Sequence, residues 1–272
     1  MQDGFKYHDA PSLSHESILI NNLNFYLSHN LNQFIPELSG EIRSRTSISG
    51  KDGTSPSEVS YLRGYAGLAL KAVISSDLSG KLFYNYRAAN YEDFDPFDRW
   101  EHEFGAKTDI KLLPNSMISL QYSRDIMSFY KWSRGIAPRN DATNIVTAGF
   151  EMYNNLLLNV NLSYEDNRSN VDVYSYKGYT LSAMLAKSLT HNIVIEIYGL
   201  FRSRNNTLSS ESVSEQMDIE DEEKSMIMVK VSRDITEQCA LEAQYDMRRN
   251  QSKQDGGTYT KNVFSLSVVY RF

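Results

Sequence analysis

The sequence predicts an all-β chain folded as an antiparallel up-and-down meander, and three observations predict it. Extended segments of roughly ten to fourteen residues recur along the chain, each apolar on one parity and polar on the other. Tight turns and longer polar connections alternate between these segments. The last segment, Asn262 to Phe272, carries Phe264, Leu266, Val268, Tyr270 and Phe272 on one face, with Ser265, Ser267 and Arg271 on the other. A helix would space its apolar residues three and four apart, whereas Leu156 to Glu165 and Cys239 to Arg248 alternate every second residue.

In chain order, residues 1–15 form an N-terminal arm or a short first strand. They are polar, Pro11 interrupts them, and only Phe5 to Tyr7 has an extended pattern. Residues 16–272 form one β-barrel domain, with strands near 17–30, 35–48, 58–74, 81–91, 99–112, 117–131, 142–153, 156–167, 173–188, 193–205, 223–235, 239–250 and 259–272. Tight turns fall near Asn30 to Gln33, Ser76 to Gly80, Pro114 to Ser116, Asn154-Asn155, Thr190 to Asn192 and Thr236 to Gln238. Longer connections fall near Gly50 to Ser57, Glu92 to Asp98, Ser133 to Asp141, Asn167 to Asp172, Arg204 to Glu222 and Gln251 to Thr258. A wall whose two termini meet at one rim needs an even number of strands, and residues 3–14 supply the missing one. About fourteen strands are expected, with twelve or sixteen as the alternatives. Three hairpins, beginning at Ser76, Lys187 and Arg233, look like copies of one unit. In the last two, Glu196 is the equivalent of Glu242 and Arg202 of Arg248.

The two parities assign the faces. Leu82, Tyr84 and Tyr86; Ile118, Leu120 and Tyr122; Leu158, Val160, Leu162 and Tyr164; and Leu241, Ala243 and Tyr245 share one side of their strands. The other parity holds Asn85, Gln121, Asn159, Asn161, Gln244 and Asp246 together with most of the charge. A charged side chain facing hydrocarbon near the bilayer midplane costs roughly 2–4 kcal/mol, so the polar parity must face enclosed water. The expected lumen lining is Glu41, Arg43, Arg63, Lys71, Arg87, Glu101, Glu103, Lys107, Glu151, Glu196, Arg202, Lys230, Glu242 and Arg248, with Glu37, Arg45 and Asp109 beside them. These charges either brace the wall as cross-strand ion pairs or form a polar conduit that orients a solute. Their near balance of sign gives no ion preference.

Composition agrees with a transmembrane barrel. The 272 residues are 41% hydrophobic with a mean hydropathy of -0.46, and no run approaches the roughly 18 apolar residues of a spanning helix. Alternating lipid-facing and lumen-facing residues average out polar. The 18 tyrosines suit aromatic girdles at the two interfaces, and Trp100 and Trp132 lie beside long connections where such a belt is expected. A final strand ending Tyr270-Arg271-Phe272, with apolar residues alternating upstream, resembles the carboxy-terminal signal of Gram-negative outer-membrane β-barrel proteins of the porin type. That resemblance implies a bacterial outer-membrane location, with outer-membrane lipid and lipopolysaccharide as surroundings. It implies recognition of Phe264, Leu266, Val268, Tyr270 and Phe272 by the barrel-assembly machinery. The implied function is a channel for polar or charged solutes. The alternatives are a structural or translocation barrel of an export or secretion system, such as polysaccharide export with a periplasmic partner, and an outer-membrane enzyme.

Other chemistry finds little support. Net charge is -6 with a pI near 5.5, and no basic patch clusters, so no nucleic-acid partner is expected. Cys239 is the single cysteine, and His8, His15, His29, His102 and His191 lack partners at metal-ligand spacing, so neither a metal nor a cofactor is expected. No catalytic constellation is legible. Asp93, Asp95 and Asp98 lack the glycine and terminal glutamate of a calcium loop, and the acidic run Asp218 to Glu223 reads as a solvated loop. Met-Gln-Asp-Gly at the start has neither a basic region nor an apolar core, so an exported chain is expected to have lost its signal peptide.

Overall fold

The computed structural model describes residues 2–7, 17–47, 60–91, 98–130, 138–189, 192–206, 223–236, 238–251 and 259–270. Its strands are β1 (Gln2–Tyr7), β2 (Ser17–Ser28), β3 (Phe34–Ser47), β4 (Tyr61–Val73), β5 (Leu78–Tyr91), β6 (Arg99–Leu113) and β7 (Ser116–Phe129), followed by β8 (Asn140–Tyr153), β9 (Leu157–Ser169), β10 (Tyr176–Ser188), β11 (Ile193–Asn206), β12 (Glu223–Asp234), β13 (Cys239–Gln251) and β14 (Tyr259–Tyr270). They form one 14-stranded antiparallel sheet in sequence order. This is the meander that the alternating connections predict. No pairing of β1 with β14 is present among the described residues. The first strand is shorter than the expected 3–14: β1 covers Gln2–Tyr7 and pairs with Ser17 to Asn22 of β2, and residues 8–16 lie outside the described residues.

Burial is inverted relative to a water-soluble protein. Glu101, Ser123, Asp141, Glu165, Asn167 and Asp246 are buried, while Leu82, Leu120, Leu162, Phe201, Ile227 and Leu266 are exposed. Because cross-strand partners point to the same side, the register carries one parity unbroken from strand to strand. The row Leu120, Ala148, Leu162, Leu181 and Phe201 crosses five strands on the outer face. The row Gln121, Thr147, Ser163, Thr180 and Arg202 crosses the same five strands on the inner face. A chain that sends its aliphatic parity outward and its carboxylates inward has hydrocarbon as its outer solvent and water as its inner one.

Charges that break the outer-face rule lie toward the two rims. Arg124, Asp166, Arg168, Lys177 and Arg249 lie toward the rim of the longer connections, Arg124 on the same register row as Asp166 and Lys177, and Lys187 and Arg233 toward the rim of the tight turns. Strands of 12 to 15 residues are longer than the roughly 9–11 needed to cross tilted through hydrocarbon, so their ends project into the headgroups. Aromatic side chains mark the same level. Trp100 meets His102 edge-on at 4.9 Å between ring centres, and Tyr84 Oη lies 2.6 Å from His102 Nδ1. Tyr164 and Tyr179 pack at 5.1 Å.

Several boundaries differ from the sequence expectation. The turn expected at Ser76 to Gly80 is tighter: Ile74 and Ser75 donate to the Leu78 carbonyl, and Ser79 and Gly80 already pair with Val73 and Ala72. The connection expected near Asn167 to Asp172 begins later, since β9 runs to Ser169 and a short 3-10 turn over Asp172–Tyr174 follows. Asn140 and Asp141, expected in a loop, open β8. Two turns use a residue at positive φ, Asn32 and Asn192, both at 59°, the side chain that best tolerates the left-handed region after glycine.

Gly105 is required by close approach of backbone and ring. A Cβ on Gly105 would lie 2.5 Å from both the Tyr122 carbonyl oxygen and the ring of Phe83. Phe83 is an aromatic residue on the inner face, and it lies across the bare backbone of Gly105, its register partner. Gly105→Ala is expected to lower stability by about 1–3 kcal/mol through overpacking. The midpoint of urea unfolding in detergent or lipid measures it.

Candidate functional site: the charged inner face

The register places all fourteen residues expected to line the lumen on one and the same face of the sheet. Those of β3 to β6 gather. Glu41, Arg43, Arg63, Arg87 and Glu101 surround a cavity of about 410 Å³, together with Tyr65 and Arg99. Lys71, Glu103 and Lys107 line a second cavity of about 430 Å³. A third of about 430 Å³, beside the tight turns, takes Glu151 as well as Lys71. The remaining residues sit on other strands and do not join these groups. Glu196 is the register partner of Lys230, which is 3.1 Å from Glu242. Arg202 lies 3.8 Å from Glu165, and Arg248 faces Lys261 and Met226. The repeat equivalents Glu196 and Glu242 share a face but not a level, because Glu196 lines up through Lys230 with Gln244.

The floor of the first cavity is rigid. Arg87 forms ion pairs with Glu101 and, at 2.8 Å, with Glu103. Glu103 also accepts from Asn85 Nδ2 at 2.9 Å, and Asn85 Oδ1 accepts from Tyr65 Oη at 2.9 Å, which is in turn 3.2 Å from Ser39 Oγ. Gly67 gives this array its space, since a Cβ there would come within 2.3 Å of Tyr65 Oη. Charge-assisted bonds of this kind hold side chains in one geometry. Lower on the wall, Lys71, Lys81 and Lys107 are direct register partners on three adjacent strands. Like charges so placed repel. Glu37, 2.5 Å from Lys81, and Asp109, 3.0 Å from Lys107, offset the repulsion.

Sequence reading missed three further groups. Arg139 chelates Asp141 through Nε and Nη2 at 2.5–3.0 Å, and its guanidinium lies 3.6 Å from the ring centre of Tyr174 and 4.7 Å from that of Phe129. Glu165 is shared by Arg204 at 3.4 Å, Arg202 at 3.8 Å and Tyr176 Oη at 3.2 Å. Arg99 joins the first cavity and Asp125 faces Glu103 in register. Parity was the available signal: Arg99 shares it with Glu101 and Glu103, and Asp125 with Gln121 and Ser123. Of the apolar strip on the last strand, Phe264, Leu266, Val268 and Tyr270 are exposed on the outer face, with Phe264 at 71%. Phe272 lies outside the described residues.

Among solved structures, the fold is similar to a Pseudomonas aeruginosa FadL homologue, with a TM-score of 0.52 at 11% identity over 94% of this chain and 78% of that one. It is also similar to CdiB from Acinetobacter baumannii, with a TM-score of 0.56 at 8% identity over 99% of this chain. The chain spans 60% of the length of that CdiB structure. No protein-family model matches the sequence, and no curated protein does either. At these identities the likeness is one of fold. The chain has by its fold the antiparallel transmembrane meander of β-barrel proteins, with one apolar face and one ionisable face.

Proposed function

We propose that the protein is an outer-membrane channel that passes polar or charged solutes along its inner wall. The inverted burial carries this reading: buried carboxylates and amides share a wall with Arg43, Arg63, Lys71 and Lys107, and charged side chains line cavities of solute size among them. Such a wall replaces part of a solute's hydration shell, which an aliphatic lining does not. The outer-face strip Phe264, Leu266, Val268 and Tyr270 of β14, with Phe272, serves assembly in the same reading, and outer-membrane lipid and lipopolysaccharide contact the outer band.

Purified protein added to a planar lipid bilayer is expected to give discrete conductance steps in potassium chloride. A stable zero current across voltage and pH, from protein shown to be folded and inserted, would sink the proposal. Charge-reversing Glu103→Lys is expected to shift the reversal potential in a salt gradient toward anions, because it removes a negative charge and adds a positive one on the wall beside Lys107.

A further inference from the structure

The near balance of inward charge conceals a separation by level. Register aligns Arg43 with Arg63, Arg63 with Ala89, and Ala89 with Arg99. One rung across four strands thus carries three arginines and no carboxylate. At the strand spacing of about 4.8 Å, it spans about 14 Å. The rung lies at the loop-side end of the wall, since Arg63 is the third residue of β4 and Arg99 the first of β6.

Paired like charges on one face are unfavourable unless something else holds them. Arg63 is held without a carboxylate: Nη2 donates to Tyr91 Oη at 2.6 Å, and the guanidinium lies 4.4 Å from the Tyr61 ring centre and 5.5 Å from that of Tyr91. Cation-π contact leaves the charge of the guanidinium uncompensated. Arg43 Nε is buried without a hydrogen-bond partner among the described residues. Arg99 forms no ion pair there either. Ala89, between them, adds only a methyl group to the lining of the same cavity. Directly below, Arg87 is taken up by Glu101 and Glu103, so those acids are already engaged. The cavity that results, about 410 Å³, contains four arginines against two glutamates.

We propose that this rung is a binding site for a small multiply charged oxyanion, a solute carrying phosphate or carboxylate groups, captured by Arg43, Arg63 and Arg99 at the loop-side mouth. The inference deepens the solute-channel reading and rests on it for a water-filled inner face. Guanidinium groups present paired donors matched to the oxygens of carboxylate and phosphate, and three of them spread over one rung favour a ligand with two or more anionic groups. Because the rung is on the inner face, lipid headgroups of the outer band do not supply the ligand.

Titration of detergent-solubilised protein with sodium pyrophosphate and with citrate, at low ionic strength, tests this without any need for conduction. Saturable binding of at least one anion is expected. The triple variant R43Q/R63Q/R99Q should weaken it about a hundredfold, given the worth of charge-assisted hydrogen bonds. Replacing the same three by lysine should recover only part of the affinity, because charge is kept and the paired donors are lost. Lys177→Gln on the outer face should leave it unchanged. A β-type circular dichroism spectrum and a heat-modifiable gel band establish that each variant is folded. Absence of saturable binding for both anions, unchanged affinity in the folded glutamine variant, or full affinity in the lysine variant would each overturn the site. A silent bilayer with intact anion binding would instead overturn the channel and leave the site standing.

Discussion

Leu162→Arg is expected to destabilise the protein in a lipid bilayer by about 2–4 kcal/mol, whereas Ser163→Arg, one residue along, should change stability far less. The physical reason is that the two side chains meet different solvents. Leu162 stands at mid-strand in β9, 52% exposed, between Ala148 and Leu181 on the outer face. A guanidinium there must leave water for hydrocarbon, and the nearest headgroups are several residues away along the strand. Ser163 stands between Thr147 and Thr180 on the inner face, where Thr147 Oγ1 is 2.9 Å from its own Oγ and Arg202 Nε donates to Thr180 Oγ1 at 3.3 Å. Reversible urea unfolding from lipid vesicles measures both variants. Equal losses for the two would mean that the faces do not differ in solvent, and the barrel reading would fall with them.

Glu165→Ala is the second large effect expected, with a loss of about 3 kcal/mol. Glu165 is 8% exposed, and the side chain of Arg204 beside it is 11% exposed. Their meeting depends on Gly178, the register partner of both, because a Cβ at that position would lie 3.1 Å from Arg204 Cγ and 3.1 Å from the Ser203 carbonyl oxygen. The arginine stem crosses the bare strand between them, with its guanidinium 4.2 Å from the Tyr176 ring centre. Removing the carboxylate leaves the Arg202 and Arg204 guanidinium groups without the negative charge between them and takes away one acceptor, 3.2 Å from the Tyr176 hydroxyl. Glu165→Gln keeps an acceptor for Tyr176 and should recover part of the loss. The difference between the two variants in urea midpoint reads the charge separately from the hydrogen bond.

Much of the wall was legible because the side-chain period of a strand is two. Once Leu158, Val160 and Leu162 are seen to alternate with Asn159, Asn161 and Ser163, no tertiary information is needed to assign their faces. The same alternation placed Glu41, Arg87, Glu103 and Lys230 on one side of the sheet without knowledge of their neighbours. Strand ends were less legible. Leu78 and Ser79 belong to β5 although Ser76, Asp77 and Gly80 have turn chemistry, because pairing with Val73 decides where the hairpin closes. Asp141 reads as the end of the connection from Ser133, yet pairing with Met127 and Ser169 makes it part of β8.

Alternation by itself determined the class of this protein: two faces with two solvents, joined by connections of alternating length. It did so because burial in a spanning strand is a local property, set by whether a residue number is odd or even. Which charges share a level was decided only by the tertiary structure. Arg43, Arg63 and Arg99 lie on strands whose stagger follows from turn lengths and hydrogen-bond register, and a shift of two residues in any of the three pairings from β3 to β6 would keep every face while dispersing the rung.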